Sequence, residues 1–164
     1  MGKIAANANV LKYKLAVANA RKVDDPLRLA HTVRHLGDAY YYAKRFDLSE
    51  PCYVEALSIY RQREDRRPLD LANAIRSFAV LKDEVGAPEE AMRLWREARD
   101  LYTSLNVAAG VAESAARLAL LTHRQGDFEQ SHKWLTEACT AADNADDPET
   151  EEYVRGVRAQ LQGQ

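Results

Sequence analysis

Pro26-Leu27-Arg28-Leu29-Ala30-His31-Thr32-Val33-Arg34 and Pro68-Leu69-Asp70-Leu71-Ala72-Asn73-Ala74-Ile75-Arg76 are identical at five of nine positions across an offset of 42 residues. A further step of 40 residues carries Ala72 to Ala112, Phe78 to Leu118, Ala79 to Ala119, Gly86 to Gly126, Ala91 to Ser131 and Ala98 to Ala138. Another step of 40 takes Ala108 to Pro148. Self-similarity at such a period signals one supersecondary unit used repeatedly, each copy carrying an apolar face that it cannot bury alone. Three units are expected, at about 26–67, 68–107 and 108–147, behind an N-terminal helix over 1–23 and ahead of a C-terminal capping helix over 148–164.

Each unit reads as two helices. The first opens after a proline or a loop, where a missing N–H costs nothing. It ends in a turn: Lys44-Arg45-Phe46-Asp47, Gly86-Ala87-Pro88-Glu89 or Gly126-Asp127-Phe128-Glu129. The second carries a small residue, a large one four positions on and Ala three further, as in Ser49-Tyr53-Ala56, Ala91-Trp95-Ala98 and Ser131-Leu135-Ala138. Those intervals place all three side chains on one helical face. Small residues opposite large ones let two antiparallel helices approach closely, so the fold is expected to be all-α, a curved solenoid of stacked hairpins.

These residues resemble the tetratricopeptide repeat. Its signature is matched by Val33, Leu36-Gly37, Tyr40, Ser49, Tyr53 and Ala56. The second unit fills the same slots with Ile75, Phe78-Ala79, Lys82, Ala91, Trp95 and Ala98, and the third with Ala115, Leu118-Ala119, Thr122, Ser131, Leu135 and Ala138. Lys82 and Thr122 stand where the pattern has an aromatic. The long period and the turns Asp24-Asp25-Pro26 and Asp146-Asp147-Pro148 are similar to the kinesin light chain subtype. The resemblance implies a right-handed superhelix whose first helices line a concave groove. It also implies a non-catalytic module that holds a peptide segment or a partner protein.

Within that frame the groove-facing stripe is His31, Arg34, Asp38 and Tyr41 in the first unit, Asn73, Arg76, Val80 and Asp83 in the second, and Glu113, Ala116, Leu120 and His123 in the third. Arg34 and Arg76 occupy matching places, and a guanidinium fork suits carboxylates and backbone carbonyls. Alternatively, the two arginines pair with acidic neighbours while Val80 and Leu120 pack the superhelix. The chaperone-tail-binding members of the family need basic and Asn clamp residues where Asp38, Ser77 and Glu113 stand here, so that ligand is not implied. A ligand-sensing domain that closes on a small peptide or small molecule is the alternative function.

Composition narrows the classes. With 23 Lys and Arg against 25 Asp and Glu, the formal net charge is −2, and bulk electrostatics does not draw in nucleic acid. No run of about 18 apolar residues exists, so no membrane span is expected. Cys52 and Cys139 stand alone, which suits a reducing compartment, with the cytoplasm as the expected location. Residues 1–23 hold Lys3, Lys12, Lys14, Arg21 and Lys22 and no acid, but Ile4, Val10, Leu11, Leu15 and Val17 recur at helical spacing, so an amphipathic helix is preferred to a transit peptide. His31 and His35 lie one turn apart without the HExxH arrangement or a third ligand; a metal-dependent enzyme rests on those histidines alone. No nucleophile elbow, phosphate loop or dinucleotide fingerprint is present, so no enzyme and no cofactor is expected. End-to-end self-association of the array is a further possibility.

Overall fold

The computed structural model describes the backbone of residues 2–163 and the side chains of residues 7–163. The described residues form eight helices and no strand: α1 (Gly2–Ala20), α2 (Pro26–Tyr42), α3 (Phe46–Gln62), α4 (Pro68–Glu84), α5 (Pro88–Ser104), α6 (Ala108–Arg124), α7 (Phe128–Asp143) and α8 (Pro148–Gln162). They fall into two compact units, Met1–Ala87 with α1 to α4 and Pro88–Gln164 with α5 to α8.

Local chemistry explains the helix ends. The side chains of Asp25, Asp127 and Asp147 each accept a hydrogen bond from the backbone N–H three residues on, capping α2, α7 and α8. Proline occupies the first turn of α2, α4 and α8. The turn between paired helices needs a left-handed residue, supplied by Gly86 at φ +74° and Gly126 at φ +81°, and by Lys44 at φ +59°. A Cβ built on Gly126 meets nothing within 4 Å, so Gly126→Ala isolates the backbone term. It is expected to cost about 1 kcal/mol, a fall in melting temperature that thermal denaturation reads directly. An unchanged or higher melting temperature would contradict the turn assignment.

In the first unit α1 and α3 pack on α2, and α4 lies against both α3 and α2. The small-against-large device operates between α2 and α3: a Cβ on Gly37 would come within 2.8 Å of the Tyr53 ring. Ser49 is completely buried and donates to the Gly37 carbonyl at 2.8 Å. In the second unit α6 packs against α5, α7 and α8, and Ser131 donates to the Ala119 carbonyl at 2.8 Å, repeating the same bond. Ala112, Ala115, Ala119, Ala138, Val154 and Val157 form its apolar core.

The two exceptions to the signature have physical answers. Lys82 buries its stem, its ammonium donating to Glu50 at 2.8 Å and standing 5.2 Å from the centre of the Phe78 ring. Thr122 is buried and donates to the Leu118 carbonyl of its own helix at 2.8 Å.

One expectation is corrected. The apolar residues of α1 do not share a face: Val10, Val17 and Ala20 are buried, whereas Leu11 and Leu15 are 62% and 60% exposed. At 3.6 residues per turn the two sets project to opposite sides. Ile4, grouped with them by spacing, lies outside the described side chains.

Candidate functional site

On the first unit, His31, Arg34, Asp38 and Tyr41 rise from α2, with Asn73, Arg76, Val80 and Asp83 on the adjacent α4. His31 is exposed and the other seven are partly buried. Asp38 ties the elements together. Its Oδ2 accepts from Arg34 Nη1 at 3.1 Å and faces His35 Nδ1 at 3.4 Å, while its Oδ1 accepts from the Tyr53 hydroxyl of α3 at 2.8 Å. Ser77 of α4 adds another side-chain hydrogen bond. Three helices therefore converge on one carboxylate.

His35 completes the network. Arg34 Nη2 lies 2.9 Å from His35 Nε2, so a neutral ring accepts there and carries its proton on Nδ1, toward Asp38. Tyr13 of α1 stacks on the same ring at 5.5 Å, and His31 meets it edge-on at 4.6 Å. Burial on its own would raise the Asp38 pKa, but the hydrogen bond from His35, the Arg34 charge and the bonds from Tyr53 and Ser77 together hold it below the ordinary carboxylate value. His31, though exposed, moves down from the usual histidine value, first through the partial shielding of its ring from water by neighbouring atoms and then through His35 and Arg34. Arg34 and Asp38 are thus committed to each other, and the surface that remains accessible belongs to their neighbours.

The second unit treats its four residues differently. Glu113 and His123 are partly buried, His123 lying edge-on to Phe128 at 4.9 Å. Ala116 and Leu120 belong to the apolar core, where they carry packing. Spacing alone overlooked Arg117, whose guanidinium carbon stands 5.9 Å from the Trp95 ring centre and 5.6 Å from that of Tyr153. No sequence signal marked that cation between two rings. A cleft of about 530 Å³ also runs along α7 and α8.

Burial, and then the charge of Glu55, push the Cys52 thiol up to about 11, so it is a poor nucleophile. Among the described residues no three His, Cys, Asp or Glu side chains are grouped to hold a metal ion. No described helix is long and apolar enough to cross a membrane.

Comparison with known proteins gives the fold its relatives. No curated protein matches the chain in sequence. The crystal structure of BtubC (BKLC) from P. vanneervenii is similar over 96% of this chain and 65% of its own, with TM-score 0.77 and 20% identity. Aspartyl phosphate phosphatase F from Bacillus subtilis is similar over 82% of this chain and 35% of its own, with TM-score 0.72 and 18% identity. The N-terminal domain of stress-induced protein-1 (STI-1) from C. elegans is similar over 83% of this chain and 99% of its own, with TM-score 0.63 and 16% identity. The chain therefore spans less than two thirds of the first two structures, and at these identities the likeness is one of fold. Residues 27–104 match the tetratricopeptide repeat family and carry its repeats, and the α6–α7 hairpin beyond the match has the same design, its Ser131–Ala119 bond repeating Ser49–Gly37.

Proposed function

We propose that the chain is a non-catalytic interaction module that holds an extended peptide segment of a partner protein across α2 and α4. The carrying observation is the network beneath that face: Asp38 gathers Arg34, His35, Tyr53 and Ser77 from three helices. A surface fixed from below binds a flexible segment without ordering itself first, which lowers the entropic cost of association. Above the network, His31, Tyr41, Asn73, Arg76 and Asp83 offer donors and acceptors, and Val80 offers an apolar point of contact. That mixture suits a peptide with alternating polar and apolar side chains. Cys52 and Cys139 are free thiols, consistent with work in a reducing compartment such as the cytoplasm.

Selection of peptides from a displayed library against the full chain tests this reading. Selected peptides should lose at least about tenfold in affinity with His31→Ala or Val80→Asp, equivalent to about 1.4 kcal/mol, while circular dichroism stays that of the wild type. Peptides indifferent to both substitutions, or a library that yields none, would refute it.

A further inference from the structure

We propose that the chain associates with itself head to tail, α1 of one copy lying in the cleft along α7 and α8 of another. Three observations within the two units converge on it.

The first is the two-sided character of α1. It packs on α2 as α3 packs on α4, in the manner of a second helix, through Val10, Val17 and Ala20. Its opposite side bears Leu11, Leu15 and Ala18 at intervals of four and three, all exposed. A helix apolar on opposite sides is built to lie between two neighbours, and among the described residues its main packing partner is α2.

The second is the cleft. α8 lies against α6 and α7 as α4 lies against α2 and α3, in the manner of a first helix. Phe128, Cys139 and Asp143 line the cleft along the length of α7, with the buried Leu135 at its floor and Arg158 and Leu161 of α8 opposite. Phe128 is 63% exposed. The groove occupies the place of a second helix, and at 1.5 Å per residue the 19 residues of α1 span the 16 of α7.

The third is charge. Residues 1–23 contain five basic side chains and no acidic one, whereas residues 127–164 contain nine acidic and three basic. Lys12 and Lys14 flank the exposed leucines; the cleft lining itself carries Asp143 and Arg158, and Glu149, Glu151 and Glu152 stand elsewhere on α8. Complementary fields of this kind select the pairing of unlike surfaces over like ones. The contact is heterologous, joining unlike surfaces of successive copies without closing, so the assembly grows by addition.

The full chain in sedimentation velocity is expected to rise above its 18.5 kDa monomer mass with concentration and to fall back as salt is added. The head variant Leu11→Glu/Leu15→Glu and the tail variant Thr136→Arg/Thr140→Arg alter exposed positions. Each should be monomeric with unchanged helical circular dichroism. Mixed, they should form a 1:1 heterodimer that grows no further, since only one intact head meets one intact tail. Lys12→Glu/Lys14→Glu, which leaves the leucines in place, should weaken association about tenfold or more. A wild-type chain monomeric at every concentration, a mixture that stays monomeric, or dissociation by the head variant alone would overturn the proposal. So would a monomer that uses Leu11 and Leu15 to bind phosphatidylserine vesicles.

Discussion

Gly110→Ala should lower the melting temperature by several degrees, although alanine is the better helix former. Gly110 sits in the first turn of α6, and a Cβ there would lie 2.4 Å from Cγ and 2.6 Å from Cδ1 and Cδ2 of Tyr102. Those atoms are the root of the ring, in a residue only 2% exposed, so no swing of a flexible end relieves the overlap. The α5–α6 hairpin must therefore open by a fraction of an ångström. Overpacking of a closed core typically costs about 1–3 kcal/mol, outweighing the roughly 1 kcal/mol that alanine gains over glycine within a helix. A net loss of about 1 kcal/mol, and at most about 2, is expected by calorimetry, a fall of roughly 2–8 °C. Two controls fix the cause. Gly156→Ala in α8, where a Cβ meets nothing within 4 Å, should be neutral or stabilising. In a Tyr102→Ala background the Gly110→Ala penalty should vanish, giving a coupling of about 1.5 kcal/mol or more in a double-mutant cycle. Stabilisation by Gly110→Ala in the wild-type chain would refute the close approach.

Why Gly37 was readable and Gly110 was not follows from the same physics. The Gly37 slot recurs as Ala79 and Ala119, so the demand for a small residue against the partner helix is written three times. Gly110 has Asp70 at its place one period earlier, and its constraint comes from Tyr102 across a turn. A single contact leaves no period. The hairpins were legible because caps, prolines and turn glycines act locally, and because small and large residues alternate at fixed intervals. Depth was less legible. Intervals of three and four residues put Arg34, Asp38, Ala116 and Leu120 on the same nominal face, yet Leu120 is 8% exposed and Ala116 wholly buried. Periodicity records the direction in which a side chain leaves its own helix, not how much of a neighbour stands over it. The Asp38 network was hidden for that reason, since Tyr53 and Ser77 arrive from α3 and α4. In α1 the error was of another kind: two opposed apolar stripes sum to a weakly amphipathic helix, and only packing shows that they are separate.

Arg34→Glu is expected to destabilise the first unit by about 2–4 kcal/mol, because removing one partner of a largely buried ion pair costs about 3–5 kcal/mol and residual solvent at Asp38 offsets part of that. The side chains of Arg34 and Asp38 are 13% and 23% exposed, so the new carboxylate would stand beside Asp38 in a site with little water to screen it. The acceptor at His35 Nε2 also loses its donor. The milder Arg34→Met retains the packing and removes the charge, and it should cost less and change the pH response as well. In the wild type the folded-state pKa of Asp38 lies below its unfolded value. Its stabilisation is therefore present above about pH 3.9 and is lost as pH falls through the folded value. Without Arg34 the folded pKa moves up toward the unfolded one, so Arg34→Met should start less stable at neutral pH yet lose less on acidification. Urea midpoints measured from neutral to acid pH read both features, and parallel curves for the two proteins would show that Asp38 does not feel Arg34. The same argument decides how the groove must be probed: charge reversal at Arg34 removes the floor together with the surface, so a lost partner would say nothing about contact. His31 and Val80 stand above the network and outside its hydrogen bonds, and substitutions there separate holding a ligand from holding the fold.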